Sequence, residues 1–241
     1  MIRAMMAAAS GMAAEQKQLD AIAANLANAE VAGFKGTELS FGEIAAQLGT
    51  ASGGSRLILK QGKIVKSAGP LDMAIDGNGF FAVRDARNQL VYTRSGDFAR
   101  QADGTLRNGQ GARLDGVRVP DDATAVSVKR DGRVLVDTAL RKGVEVGRVP
   151  LARFAAPEFL RPQGEGFFAP TRASGKAVAF EPGTGNNALL LSGSLEQSNV
   201  TVVESMMQII AAQRAFEANS KGVQAADEMQ RIANNILRGN G

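Results

Sequence analysis

Both ends of this chain repeat apolar residues in steps of three and four, and the stretch between them does not. That contrast constrains the fold more than any other feature. At the N-terminus Ile2, Met5, Ala9, Met12, Gln16, Leu19, Ala23 and Leu26 keep the spacing, with Gln16 the polar exception. Such spacing lines the face on which one helix meets another. At the C-terminus Ala211, Ala215, Ala218, Gly222, Ala225, Met229, Ile232 and Ile236 do the same, and Met206, Ile210 and Val223 widen the apolar face. No proline interrupts residues 200–237. Ser198 or Asn199 is placed to cap the start of this helix, since a short polar side chain satisfies a free helical N–H. Glu204 near its start and Arg238 near its end suit the helix dipole.

The middle of the chain reads as strands and turns. "LDMAIDGNGFFAVRD" alternates and turns at Asp76-Gly77-Asn78-Gly79. "YTRSGDFARQADGTLRNGQGARL" is a run of short strands broken at Ser95-Gly96, Asp103-Gly104 and Asn108-Gly109. "AVSVKRDGRVLVD" reads as a hairpin with a two-residue turn at Asp131-Gly132, and "GVEVGRVPLARF" supplies a further strand. The stretch "TASGGS" (50–55) reads as a flexible joint ahead of this all-β unit. The two seamed helices therefore meet across a folded insert. Seams rich in Ala and Met bury little area, and at about 25 cal/mol per Å2 a lone pair of such helices is marginal. Either the insert or other copies of the chain must cover them.

Composition excludes much chemistry. The chain has no Cys and no His, so disulfides, zinc sites built on those residues and His-based triads are out. Asp72, Asp76 and Asn78 resemble part of a calcium loop, but the third and twelfth positions are Ala74 and Val83, which cannot ligate. Gly77 and Gly79 form a lone G-x-G without a crossover helix, too little for a dinucleotide site. Ser192 and Ser194 lack a nearby base, and Glu158, Glu165 and Glu181 lack a visible pairing. No catalytic residue, cofactor or metal site is expected. The net charge of +4 is scattered among acids, which reads as a solvated surface before a nucleic-acid site. The N-terminal Met/Ala run is broken by Ser10-Gly11 and followed by Glu15-Gln16-Lys17. It reads as mature helix and not as a cleaved signal.

The junction "ANLANAEVAGFKG" is less ordinary. Asn25 and Asn28 stand near the end of the first helix, positioned to bond backbone or a neighbouring helix. Gly33 and Gly36 let the chain turn away, with Phe34 between them. Together with "LDMAIDGNGFFAVR" and "SLEQSNVTVVESMMQIIAAQRAFEANSK", this stretch resembles the bacterial flagellar rod and hook family over nearly the whole chain. "QRAFEANSK" looks most like the distal-rod members. "LSGSLEQSNV" and the short segment between Phe41 and Leu71 look closer to the proximal-rod members.

The resemblance implies an α+β fold, with long N- and C-terminal helices pairing as an antiparallel coiled coil and an inserted all-β domain. Residues 1–35 and 198–241 would form the axial core, 36–68 a flexible connecting segment, and 69–197 the outer β domain. It implies a structural protein, not an enzyme, with no cofactor and no nucleic-acid or small-molecule partner. Such chains are exported unfolded through the flagellar type III apparatus without a cleaved signal. They polymerise into the periplasm-spanning rod of the basal body, contacting other rod proteins, the hook and the surrounding ring bushing. Assembly residues are then expected at the seam positions Ile2, Met5, Met12, Leu19, Leu26, Met229, Ile232 and Ile236. The motif stretches add Asn25, Asn28, Gly33, Phe34 and Lys35, then Ser198, Asn199 and Val200, then Gln213, Arg214, Phe216, Glu217 and Asn219. Two further expectations follow. The terminal helices are disordered in the free monomer, and Phe34 either docks on an adjacent subunit or C-terminal helix or staples onto its own helix. The rival classes are a free-standing, adhesin-like β module on a helical stalk and a basic nucleic-acid binder.

Overall fold

A computed structural model describes residues 2–39, 56–183 and 188–238. The joint proposed at 50–55 lies outside them, and so do the side chains of Ile2, Met5 and Ile236. The described parts fall into two units. One holds those of Met1–Ala27, Thr37–Ser55 and Thr201–Gly241; the other holds Asn28–Gly36 and those of Arg56–Val200. The segment expected to connect them, 36–68, is therefore divided. Gly36 and residues from Arg56 onward belong to the β unit, because they are hydrogen-bonded into it.

The helical unit contains α1 (Ile2–Ala27) and α2 (Val202–Arg238), packed against each other. On α2 the covered row is Ser205, Ile209, Ala212, Phe216, Asn219, Val223 and Ala226, spaced alternately by four and three. On α1 the buried positions are Ala14, Ile22 and Asn25, with Gly11 and Gln18 half-buried. A Cβ on Gly11 would stand 3.1 Å from Asn219 Nδ2, so small residues set a close approach. These rows lie about one residue away from the seams read in the sequence. Gln16 and Ala23 are exposed, as are Ala211, Ala218, Gly222, Ala225, Met229 and Ile232. The physical reason is that a three-and-four repeat fits adjacent rows of one helix equally well, and on α2 the covered row mixes Ile209, Phe216 and Val223 with the polar Ser205 and Asn219, which hides it among the alanines beside it.

The start of α2 also differs from expectation. Its cap is Thr201, whose Oγ1 accepts from the Glu204 N–H at 3.4 Å and donates to Glu204 Oε2 at 3.5 Å. This is a partial capping box. Ser198 instead accepts from the Val200 N–H, and Asn199 is engaged elsewhere.

The β unit is built on one large antiparallel sheet. Its strands run in the order Ala123–Val128, Arg133–Thr138, Val144–Arg148, Arg113–Arg118, Phe80–Arg84, Leu90–Thr93, Phe167–Ala169, Arg161–Gly164. Short strands pair off this path, among them Leu151–Arg153 against Phe80–Arg84. Phe80–Arg84 is buried on both faces, which explains its unbroken apolar start. Phe81 and Val83 enter the main core with Leu106, Leu114 and Val134. Phe80 points the other way, edge-to-face with Phe154 and Phe168, and Tyr92 completes that cluster against Phe154. The hairpin after Val128 has a three-residue loop, not the two-residue turn expected. Gly132 N–H bonds Lys129 O and Lys129 N–H bonds Arg133 O, with Gly132 at φ +81°. A type I turn followed by a left-handed glycine matches the right-handed twist of the strands.

Two two-stranded pairs close the unit. Leu189–Ser192 pairs with Met73–Asp76, and Ser194–Glu196 pairs with Ile64–Lys66, both antiparallel. The last strands of the unit thus return to its first ones.

Candidate functional site at the closure of the β unit

The return of Ser194–Glu196 to Ile64–Lys66 brings the residues that precede the insert beside those that follow it. At this point three charged side chains are almost fully covered: Lys35 at 1% exposure, Glu196 at 1% and Arg94 at 5%. Lys35 Nζ lies 2.6 Å from Glu196 Oε1, and Arg94 Nη1 lies 3.3 Å from Oε2. Glu196 Oε1 also accepts from the Gly62 N–H at 2.9 Å. Lys35 Nζ donates to Lys60 O at 2.9 Å, and Arg94 donates to Ile75 O at 3.1 Å and Gly77 O at 2.6 Å. The Arg94 guanidinium stands over the Phe80 ring, 5.5 Å from its centroid, a favourable cation–π distance.

Burial pushes the Lys35 ammonium below the usual lysine range, and the Glu196 carboxylate pulls it partly back. Burial lowers Arg94 too, opposed again by Glu196. One carboxylate therefore serves two cations. A carboxylate in this position is tolerable only because donors saturate it.

Backbone contacts surround the charges. Gly33 N–H donates to Glu196 O at 2.6 Å and Gln197 N–H to Lys63 O at 2.8 Å. Gly33 is at φ +69°, and a Cβ there would stand 2.3 Å from the Arg94 carbonyl carbon. Only glycine fits, for both reasons. A Cβ on Gly62 would stand 1.9 Å from Gln197 O. Asn199 finishes the closure: its Oδ1 accepts from the Gly36 N–H at 2.9 Å, and its Nδ2 donates to Ile58 O at 2.7 Å and Lys60 O at 2.9 Å.

Of the sequence-expected residues, the structure gathers Gly33, Lys35 and Asn199 here. Phe34 is half-buried, and its carbonyl accepts from the Asn199 N–H at 3.4 Å. Asn25 belongs to the helical unit, where it forms a two-way bridge to the Thr37 backbone, Nδ2 to O at 2.7 Å and N–H to Oδ1 at 2.9 Å. Asn28 accepts from the Val31 N–H in the following turn. Met12, Leu19, Leu26, Ser198 and Val200 are half-buried. Phe216 and Asn219 lie on the covered row of α2, whereas Gln213, Arg214, Glu217, Met229 and Ile232 are exposed.

Sequence reasoning missed Arg94, Glu196, Gly62 and Thr37. Glu196 carried a faint signal, as the lone acid of "LSGSLEQSNV" at a strand position. Among the described residues no group of three or more Asp or Glu could hold a metal, and no helix is long and apolar enough to cross a membrane. The arrangement can hold chain segments together; it offers no reacting group to a substrate.

Three family models match in chain order. They are the flagella basal body rod protein model over residues 5–35, the flagellar hook protein FlgE/F/G D1 domain over 74–136, and the flagellar basal body rod FlgEFG protein C-terminal model over 191–236. The chain is 33% identical to the flagellar basal-body rod protein FlgG of Borreliella burgdorferi, across 99% of this chain and 100% of that protein. The chain belongs to the FlgG family of flagellar basal-body rod proteins. It is also 31% identical to the FlgG of Bacillus subtilis, over 99% of this chain and 100% of that one. Its likeness to the flagellar hook protein FlgE of Salmonella typhimurium is 33% over 46% of this chain and 27% of the hook protein. The first and last of the three family models each take in one side of the closure, with Lys35 in the one and Glu196 in the other.

Proposed function

We propose that the chain is a structural subunit of the bacterial flagellar basal-body rod, of the distal type, and that it carries torque through a shaft of identical copies. The observation that carries this reading is the exposed apolar surface on α2. Val203 is 70% exposed, Met207 60%, Met229 57%, and Met206, Ile210 and Ile232 just over half. They fall in two patches, with exposed Arg214, Glu217 and Lys221 on the same face between them, and exposed apolar patches on a packed helix mark a protein–protein contact. Copies of the same chain are the occupants, since head-to-tail contacts that do not close generate a helical tube. Full-length similarity to FlgG-named proteins favours the distal over the proximal type.

In this reading α1 and α2 pair as an antiparallel coiled coil in the inner tube, the spacing of the covered row on α2 being the supporting feature. The β unit stands outside, facing the ring bushing, and other rod proteins and the hook adjoin along the axis. The chain reaches its place in the periplasm through the type III apparatus and acts without catalysis. Phe34 docks on a neighbouring subunit. The test is seeded polymerisation. Purified chain added to rod fragments extends them as ordered tubes, whereas an adhesin-like module stays monomeric beside the seeds.

A further inference from the structure

We propose that Glu196 is a positioning residue for assembly. Its carboxylate draws in Lys35 and Arg94, closes the β unit, and so fixes where the two connections to the helices leave it. The assembly half of this inference rests on the rod reading; the closure half rests on geometry alone.

A carboxylate with no exposed side-chain surface is stable only where donors replace its water. Glu196 has three: Lys35 Nζ, Gly62 N–H and Arg94 Nη1. They come from three stretches of chain, and Lys35 precedes Glu196 by 161 positions. The pair therefore closes a loop that contains the whole insert. All of these groups belong to the β unit, and so do the Gly33 to Glu196 and Gly36 to Asn199 bonds that flank them. Closure therefore needs no contribution from α1 or α2. Residues 33–36 lead away to α1, and 196–199 lead away to α2. One carboxylate thus ties both roots to the same spot.

Amide exchange on the unassembled full-length chain reads the closure directly. In the wild type the Gly33, Gly36 and Gly62 amides are protected to a degree comparable with Val83 inside the main sheet. In Glu196→Gln those three exchange at least about tenfold faster while Val83 does not change, and addition to rod seeds is lost. Removing the stranded cation as well, in the double variant K35M/E196Q, restores part of both readouts, which general destabilisation would not do. Should E196Q fail to fold, Lys35→Met, which keeps the Arg94 pair, carries the test with a smaller loss of the same kind at Gly33 and Gly36. Wild-type protection at the three glycines in E196Q (in K35M where E196Q does not fold), or a double variant no better than E196Q, overturns the inference. If the wild type itself does not extend seeds, the rod reading fails, and exchange still decides the closure.

Discussion

At the scale of single residues, the closure makes strong demands on a few side chains. Glu196→Gln leaves two buried cations without a counter-charge, and losing one partner of a buried pair costs roughly 3–5 kcal/mol. Amide exchange at Gly33, Gly36 and Gly62 reads that loss as a local opening of the closure. Asn199→Ala strands the Gly36 N–H and the Ile58 carbonyl, while Lys60 O keeps its bond from Lys35 Nζ; an unsatisfied buried group costs about 1–3 kcal/mol, so a loss within that range is expected in the same assay. Gly33→Ala is harsher in kind, since both its φ and the 2.3 Å approach to Arg94 exclude a Cβ. Expression as soluble, folded chain at normal yield would contradict that. The sequence displayed Gly33, Lys35 and Asn199 as conspicuous residues, but not what they do. Their partners lie across the whole insert, and no local pattern encodes a contact between Lys35 and Glu196. The asparagine pair shows the same limit. Asn25 copies a strand's hydrogen bonding to Thr37, a geometry invisible without the turn that brings Thr37 back.

At the scale of elements, the helices and strands were legible and their exact faces were not. Hydrophobic spacing identified both helices because it repeats over many turns. It placed the contact row one residue off because Ser205 and Asn219 interrupt the true contact row, while the neighbouring row of Ala, Gly, Met and Ile is unbroken by polar residues. The hairpins were found from Asp-Gly and Asn-Gly pairs, yet the loop after Val128 is a residue longer because Gly132 takes the left-handed position. Two outcomes follow for α2. Thr201→Ala removes its cap at about 1 kcal/mol, near a fivefold rise in the critical concentration for polymerisation. Ala212→Glu puts a charge at a position only 3% exposed, and it blocks addition to seeds while leaving the β unit's stability within about 0.5 kcal/mol.

At the scale of the whole molecule, two units divide the labour. The β unit holds the large apolar cores and the buried ion cluster. The helical unit holds a narrow contact row and two exposed apolar patches. On the proposed reading, a unit of two helices that leaves so much apolar surface uncovered is completed by its neighbours in a tube, and its helices order on assembly. Exchange on the free chain tests that directly: α1 and α2 amides exchange quickly while the β unit is protected, and strong protection of both helices in a monomer would contradict it. The central claim, that this chain builds the rod, is tested most directly by cryo-imaging of basal bodies from cells in which it is deleted. The account predicts a shaft that stops short, with no hook attached. A full-length rod carrying its hook would contradict it.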